Sequence, residues 1–199
     1  MSKSASKKRG FSLPEILVAV AIMAVVAAVV IPSIGSQLTK GDTARLTTDL
    51  INVKAGIEQF LADVRRYPSS MTQLQVKPGA LVAADTGINA TGMYAASQVA
   101  RWKGPYLTKD VTAAQATGYG ATMVAFFRTC NNLGLITACS APGAGQKYLT
   151  IAVPGISQAE AFTADSAMDD GVLTTGALQW VAKGAGPADT LRFLALPIQ

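Results

Sequence analysis

Lys7-Lys8-Arg9-Gly10-Phe11-Ser12-Leu13-Pro14-Glu15 leads into an unbroken apolar run from Ile16 to Ile31, and Pro32 stops it. Phe11 to Ile31 is 21 residues, about 31 Å of α-helix at ~1.5 Å per residue. A bilayer's hydrocarbon core is roughly 30 Å thick, so the segment is long enough to cross a membrane once. The basic cluster on its N-terminal side sets the expected orientation: N-terminus cytoplasmic, the remainder outside.

Glu15 is out of place in a plain anchor. A carboxylate at a bilayer centre costs about 2.5–3.5 kcal/mol on insertion scales, and less near the interface. An ordinary signal anchor with a tolerated glutamate is one account. Gly10-Phe11 supplies another. Cleavage after Gly10 would give Phe11 a new α-amino group, whose ordinary pKa is about 7.7–8.0. That cation and the Glu15 carboxylate could neutralise each other, within a chain or between neighbours, and low dielectric strengthens the pair.

These residues resemble the type IV pilin superfamily. Lys7-Lys8-Arg9-Gly10 followed by Phe11-Ser12-Leu13-Pro14-Glu15-Ile16-Leu17 is similar to the leader and cleavage site read by prepilin peptidase. The resemblance implies cleavage between Gly10 and Phe11, N-methylation of Phe11, and an assembly role for Glu15 against a neighbour's Phe11 amine. Pro32 falls where the family commonly has a helix-kinking proline.

The 199-residue chain is 50% hydrophobic with a formal net charge of +5. Four of its 17 Lys and Arg residues (Lys3, Lys7, Lys8, Arg9) lie in the leader, which leaves 13 against 12 Asp and Glu, or +1. A nearly neutral mature chain gives no support for a nucleic-acid surface. There is no histidine, which excludes Ser-His-Asp and Cys-His catalysis and histidine metal ligation. Cys130 and Cys139 are the two cysteines. In an oxidising compartment a pair at this spacing reads as a disulfide, worth roughly 2.7 kcal/mol by loop entropy; two free buried thiols are the alternative. Two cysteines alone cannot complete a zinc site.

Beyond Pro32 the pattern turns amphipathic. Ile34, Leu38, Leu46, Leu50, Val53, Ile57, Phe60 or Leu61, and Val64 form one stripe of a 3.6-residue period. Lys40, Asp42, Arg45, Asp49, Lys54, Glu58 and Asp63 are expected on the opposite face. Arg65 and Arg66 suit a helix C-terminus, and Pro68 blocks continuation. The reading is one helix from about Phe11 to Arg65, about 80 Å if straight, with a bend or partly unwound section at 32–42 where Pro32, Gly35 and Gly41 fall.

Tyr67-Pro68-Ser69-Ser70 reads as a helix exit and Met71 to Leu74 as a short turn, while Ala80 to Ala100 shows no firm period. Arg101-Trp102-Lys103-Gly104-Pro105-Tyr106-Leu107 reads as an ordered loop whose aromatics bury area. Tyr67-Pro68 with Trp102-Lys103-Gly104-Pro105-Tyr106-Leu107 is similar to the helix exit and downstream loop of the major pseudopilins of type II secretion, although the spacing is longer and that family's acidic calcium loop does not match clearly. Strands are expected at Thr122–Thr129, Tyr148–Val153, Ala177–Ala182 and Thr190–Leu196. Ser157-Gln158-Ala159-Glu160 spells a capping box opening a helix to about Met168, and Asp169-Asp170-Gly171 a tight turn.

Asp165, Asp169 and Asp170 form the one acidic cluster, with oxygen ligands suited to calcium, but a helix end and an Asp-Asp-Gly turn require no metal and none is assigned. Gly143-Ala144-Gly145-Gln146-Lys147 lacks the spacing and hydroxyl of a phosphate loop. Gly118-Tyr119-Gly120 is too short for a dinucleotide fingerprint, and no serine sits in a nucleophile elbow.

The expected fold is α+β: a long N-terminal helix, its first half membrane-spanning, packed on a small antiparallel sheet as a pilin-like roll. The expected divisions are a leader at 1–10, a membrane or filament-core helix at 11–32, the amphipathic half of that helix at 33–66, and a globular head at 67–199. The resemblance implies a structural filament subunit, not an enzyme; no cofactor is expected, with calcium left open at Asp165, Asp169 and Asp170. Its partners would be copies of itself, other pilins or pseudopilins, prepilin peptidase and an inner-membrane assembly platform. A type II secretion pseudopilin is the nearer reading, and a surface type IV pilin the alternative. The rival of another class is a signal-anchored periplasmic binding domain, although no Ala-x-Ala site follows Ile31.

Overall fold

A computed structural model describes residues 11–79, 94–112, 117–125, 127–131, 147–182 and 189–198, with the backbone alone for 32–36, 118 and 128–131. The chain divides into two units, Met1–Lys40 and Gly41–Gln199. Helix α1 is Leu13–Val64, 52 residues. It is helical throughout 32–42, so the unwound section expected there is absent. Pro32 removes a single backbone donor, and the hydrogen bonds on either side of it suffice to carry the helix on.

In the N-terminal unit, no side chain from Phe11 to Ile31 is buried. Leu13–Ile31 is the one helical segment among the described residues that is long and apolar enough to cross a membrane.

The second unit is built on the amphipathic stripe. Leu46, Leu50, Val53, Ile57, Phe60 and Val64 are each fully buried, and burying such a side chain stabilises a fold by about 1.5–3 kcal/mol. Phe60, not Leu61, takes the stripe position; Leu38 stays exposed. Asp49, expected on the polar face, is buried instead. It stands three residues after Leu46 and four before Val53, which puts it inside the stripe, and Lys109 reaches in to neutralise it at 2.6 Å. At the helix end Arg65 turns left-handed (φ 61°) and its amide bonds the Leu61 carbonyl at 2.9 Å.

Short helices α2 (Thr72–Gln75) and α3 (Ala96–Ala100) follow; α3 falls in the stretch that carries no readable period. Strands β1 (Arg128–Asn131), β2 (Lys147–Pro154), β3 (Leu178–Val181) and β4 (Thr190–Ile198) form a four-stranded antiparallel sheet in the order β1-β2-β4-β3. Helix α4 (Gln158–Met168) lies against β3. The α+β expectation holds, as do three of the four strands to within a residue or two.

The expected strand at Thr122–Thr129 is mostly absent, because its amides go to different partners. Met123 N–H bonds the Val111 carbonyl at 2.9 Å, Val124 N–H the Ala152 carbonyl at 2.8 Å, and Phe127 N–H the Ser69 carbonyl at 3.0 Å. One of these partners, Ala152, lies in β2 and the other two outside the sheet, and the chain enters the ladder only at Arg128. Between β2 and β4 the register slips, Leu149 facing Leu196 but Thr150 facing Leu194. The extra residue, Ala195, is a β-bulge, and Leu191, Phe193 and Ala195 share one face of β4 by the ordinary alternation of a strand. Ala195 joins the main core, while Leu194 is buried in a separate cluster with Tyr148 and Val181.

Candidate functional site

At the start of α1, Ser12 stands at the N-cap position and Glu15 is the third helical residue. The Ser12 N–H donates to the Glu15 carboxylate at 3.4 Å, and the Ser12 carbonyl accepts from the amides of Glu15 (3.1 Å) and Ile16 (3.2 Å). A carboxylate here also complements the positive end of the helix dipole. Ser12-Leu13-Pro14-Glu15 has the capping-box spelling read at Ser157–Glu160, and sequence reasoning passed over it. Phe11 is 79% exposed. Gly10, the other half of the expected cleavage junction, lies outside the described residues, as does the leader at 1–10.

Leu13, Ile16, Leu17, Val20, Ala21 and Ala24 line a shallow apolar groove along the first turns of α1. A surface this apolar is not stable in water and requires lipid or other helices to cover it. The arrangement therefore offers two things: a membrane-length apolar rod, and one carboxylate at its polar end, four residues beyond Phe11.

The second grouping surrounds the C-terminal turns of α1. Phe60 meets Tyr94 and Tyr106 edge-on at 6.1 and 5.8 Å, and Trp102 meets Tyr106 edge-on at 5.5 Å. Tyr106 donates its hydroxyl hydrogen to Asp63 Oδ2 at 2.9 Å and accepts the Lys103 N–H at 2.8 Å. Burial, with the Asp63 carboxylate adding to it, pushes the Tyr106 phenol above its ordinary range. Gly104 is required here: a Cβ would stand 2.6 Å from the Trp102 ring. Trp102 Nε1 donates to the Gln73 carbonyl at 3.1 Å, and the Tyr106 N–H to the Leu74 carbonyl at 2.7 Å. Arg101 reaches the Val64 carbonyl at 3.2 Å, satisfying an acceptor that the end of α1 leaves free. The loop expected to bury its aromatics does so, and its role is to clamp the helix exit. Gln73, which bonds Ser69 from both ends of its amide and takes the Tyr94 hydroxyl at 2.8 Å, carries no signal in the sequence.

The third grouping is the end of α4. Ser157 and Glu160 form the expected capping box, the Ser157 N–H reaching Glu160 Oε2 at 2.8 Å. At the other end Gly171 takes φ +75°, as the Asp-Asp-Gly turn requires. Asp165, Asp169 and Asp170 come together there, one carboxylate oxygen from each within 4.8 Å of the others. The Cys139 side of the expected disulfide lies outside the described residues. So does the Cys130 side chain, whose backbone pairs with Tyr148 across β1 and β2. Residues 143–146 of the glycine-containing loop also lie outside them, and Lys147 opens β2.

Comparison with known proteins bears on the first grouping most directly. Residues 5–31 match the model of the prokaryotic N-terminal methylation motif. The chain is similar to a type II secretion system core protein G from Klebsiella pneumoniae, 33% identical over 69 residues, 35% of this chain and 49% of that protein. It is similar to the protein of the same name from Pectobacterium carotovorum, 31% identical over 68 residues, 34% of this chain and 44% of that protein. With the Escherichia coli K12 protein it is 29% identical over 73 residues, 37% of this chain and 50% of that protein. The chain thus spans about half the length of the curated relatives it matches. No solved structure matches it.

Proposed function

We propose that this chain is a pseudopilin of type II protein secretion: a structural filament subunit, not an enzyme, made as a single-pass inner-membrane precursor. Prepilin peptidase removes residues 1–10, and Phe11 is N-methylated. The mature chain then leaves the membrane at an inner-membrane assembly platform and packs with copies of itself and other pseudopilins. The N-terminus faces the cytoplasm, and the head lies on the periplasmic side.

The observation that carries this reading is the position of Glu15. It is the one charge on an exposed apolar helix of membrane length, it stands four residues after Phe11, and both lie inside the segment that matches the methylation motif. An amine at Phe11 gives this carboxylate a partner where lipid or neighbouring helices exclude water. Resemblance to secretion core proteins, which covers about a third of this chain, favours a secretion filament over a surface pilus.

Mass spectrometry of the protein's N-terminus in membrane and filament fractions tests it. The expected result is a chain beginning at methylated Phe11. An intact leader overturns the reading. Loss of surface pili with secretion intact, on deleting the gene, would move the chain to the surface-pilin class.

A further inference from the structure

Tyr119 holds a left-handed backbone, φ 59° and ψ 14°, between Gly118 and Gly120. That conformation is costly for a tyrosine, whose Cβ crowds the following carbonyl, whereas glycine takes it freely. Gly120 beside it is left-handed as well, at φ +66°. Thr117 closes the turn beneath them. Its hydroxyl donates to the Ala121 carbonyl at 2.6 Å, and its amide donates to the same oxygen at 3.3 Å. Thr117 and Ala121 are both buried, so the base of the turn is fixed and Tyr119 stands at its tip.

The side chain at that tip accounts for the strain. The Tyr119 hydroxyl hydrogen-bonds the Thr43 hydroxyl, 76 residues away on α1, and the ring packs on the edge of the main core. Thr43 is the first buried residue of α1 among its described side chains. The second unit of the chain begins just before it, at Gly41, which is exposed and has nothing but its own helix within 4 Å of where a Cβ would stand. The contact therefore lies where α1 passes from exposed to packed. Burial, with the Glu160 and Asp42 carboxylates adding to it, pushes the Tyr119 phenol above its ordinary range, which keeps the hydroxyl protonated.

We propose that Tyr119 is a latch on α1. Closed, its hydroxyl holds Thr43 and fixes the point at which the helix becomes part of the head; open, it frees the turn of helix around Thr43. Closing requires the left-handed backbone and is rewarded by one hydrogen bond, two terms of similar size and opposite sign. Packing of the ring tips the balance towards the closed form. The flanking glycines let the backbone swing between the two. Strain of this kind persists only where the surroundings impose it, and the contact that imposes it here centres on one pair of hydroxyls. The latch stands on the residues of the head and is independent of the filament reading.

Hydrogen exchange read by mass spectrometry, on the full-length chain in detergent, tests it. Tyr119→Phe keeps the ring and removes the hydroxyl, and Thr43→Val removes the other half of the pair at nearly constant volume. In each, the amides at 43–47 are expected to exchange about three- to tenfold faster, the effect of losing one intramolecular hydrogen bond. Those at 57–64 and in β2 and β4 are expected to keep the parent's rates. The double variant is expected to exchange no faster at 43–47 than either single one, because the two hydroxyls form one contact. Thr43→Ser keeps a hydroxyl and is expected to restore most of the protection. Unchanged exchange at 43–47 in Tyr119→Phe overturns the latch. So does acceleration of equal size throughout the head, which is general destabilisation, and so does a Thr43→Ser chain that exchanges as fast as Thr43→Val.

Discussion

The Lys109 ammonium stands 2.6 Å from Asp49 Oδ2, and the aspartate is buried in the helix face that otherwise carries leucine, valine, isoleucine and phenylalanine. The lysine is part-exposed, so one end of the pair is wet and the other dry. Removing the lysine would strand a desolvated carboxylate. Lys109→Met is therefore expected to destabilise the head by about 2 kcal/mol, read as a lower midpoint in urea. Lys109→Met combined with Asp49→Leu should recover most of the loss. As a contrast, Lys103 pairs with Asp63 at 3.4 Å from an exposed position, and Lys103→Ala should cost less than about 1 kcal/mol.

Gly104 admits no side chain. Gly104→Ala would press a methyl into the Trp102 and Tyr106 rings, and overpacking of this kind costs typically 1–3 kcal/mol. The expected outcome is a melting temperature several degrees lower with a changed tryptophan emission. Tyr106→Phe should cost about 1 kcal/mol, since it leaves Asp63 Oδ2 and the Lys103 amide without the hydroxyl between them.

Burial, and then the neighbouring Asp169 and Asp170 carboxylates, push the Asp165 pKa from its ordinary 3.8 up to about 6. The folded chain holds that proton to higher pH than the unfolded chain does, so this group's contribution to stability falls as pH rises from 3.8 to 6 and is level above. Asp165→Asn should remove this segment of the pH–stability curve; a curve that rises through the same interval in the parent would contradict it.

Glu15 has two roles that substitution can separate. Glu15→Gln keeps an oxygen to accept the Ser12 N–H and loses the charge, whereas Glu15→Val loses both. If charge pairing with Phe11 drives assembly, both variants insert into the membrane normally and both lower filament yield at least tenfold. Sedimentation of sheared filaments measures this. Normal yield from Glu15→Gln would reduce the residue to a helix cap.

The membrane-length rod, the helical stripe, the capping box at Ser157, the turn at Gly171 and three of the strands were legible because each rests on short-range physics: period, caps, and turn residues a few positions apart. The same kind of signal at Ser12–Glu15 was present and overlooked. Asp49 inside the stripe, Phe60 rather than Leu61 in the core, the Ala195 bulge, the late start of β1 and the Gln73 hydrogen bonds belong to tertiary structure. Each depends on a partner tens of residues away, and spacing along the chain says nothing about which distant donor, ring or charge will arrive. The buried Asp165 is the clearest instance. Sequence placed it among other acids at a helix end, and packing alone took it out of water.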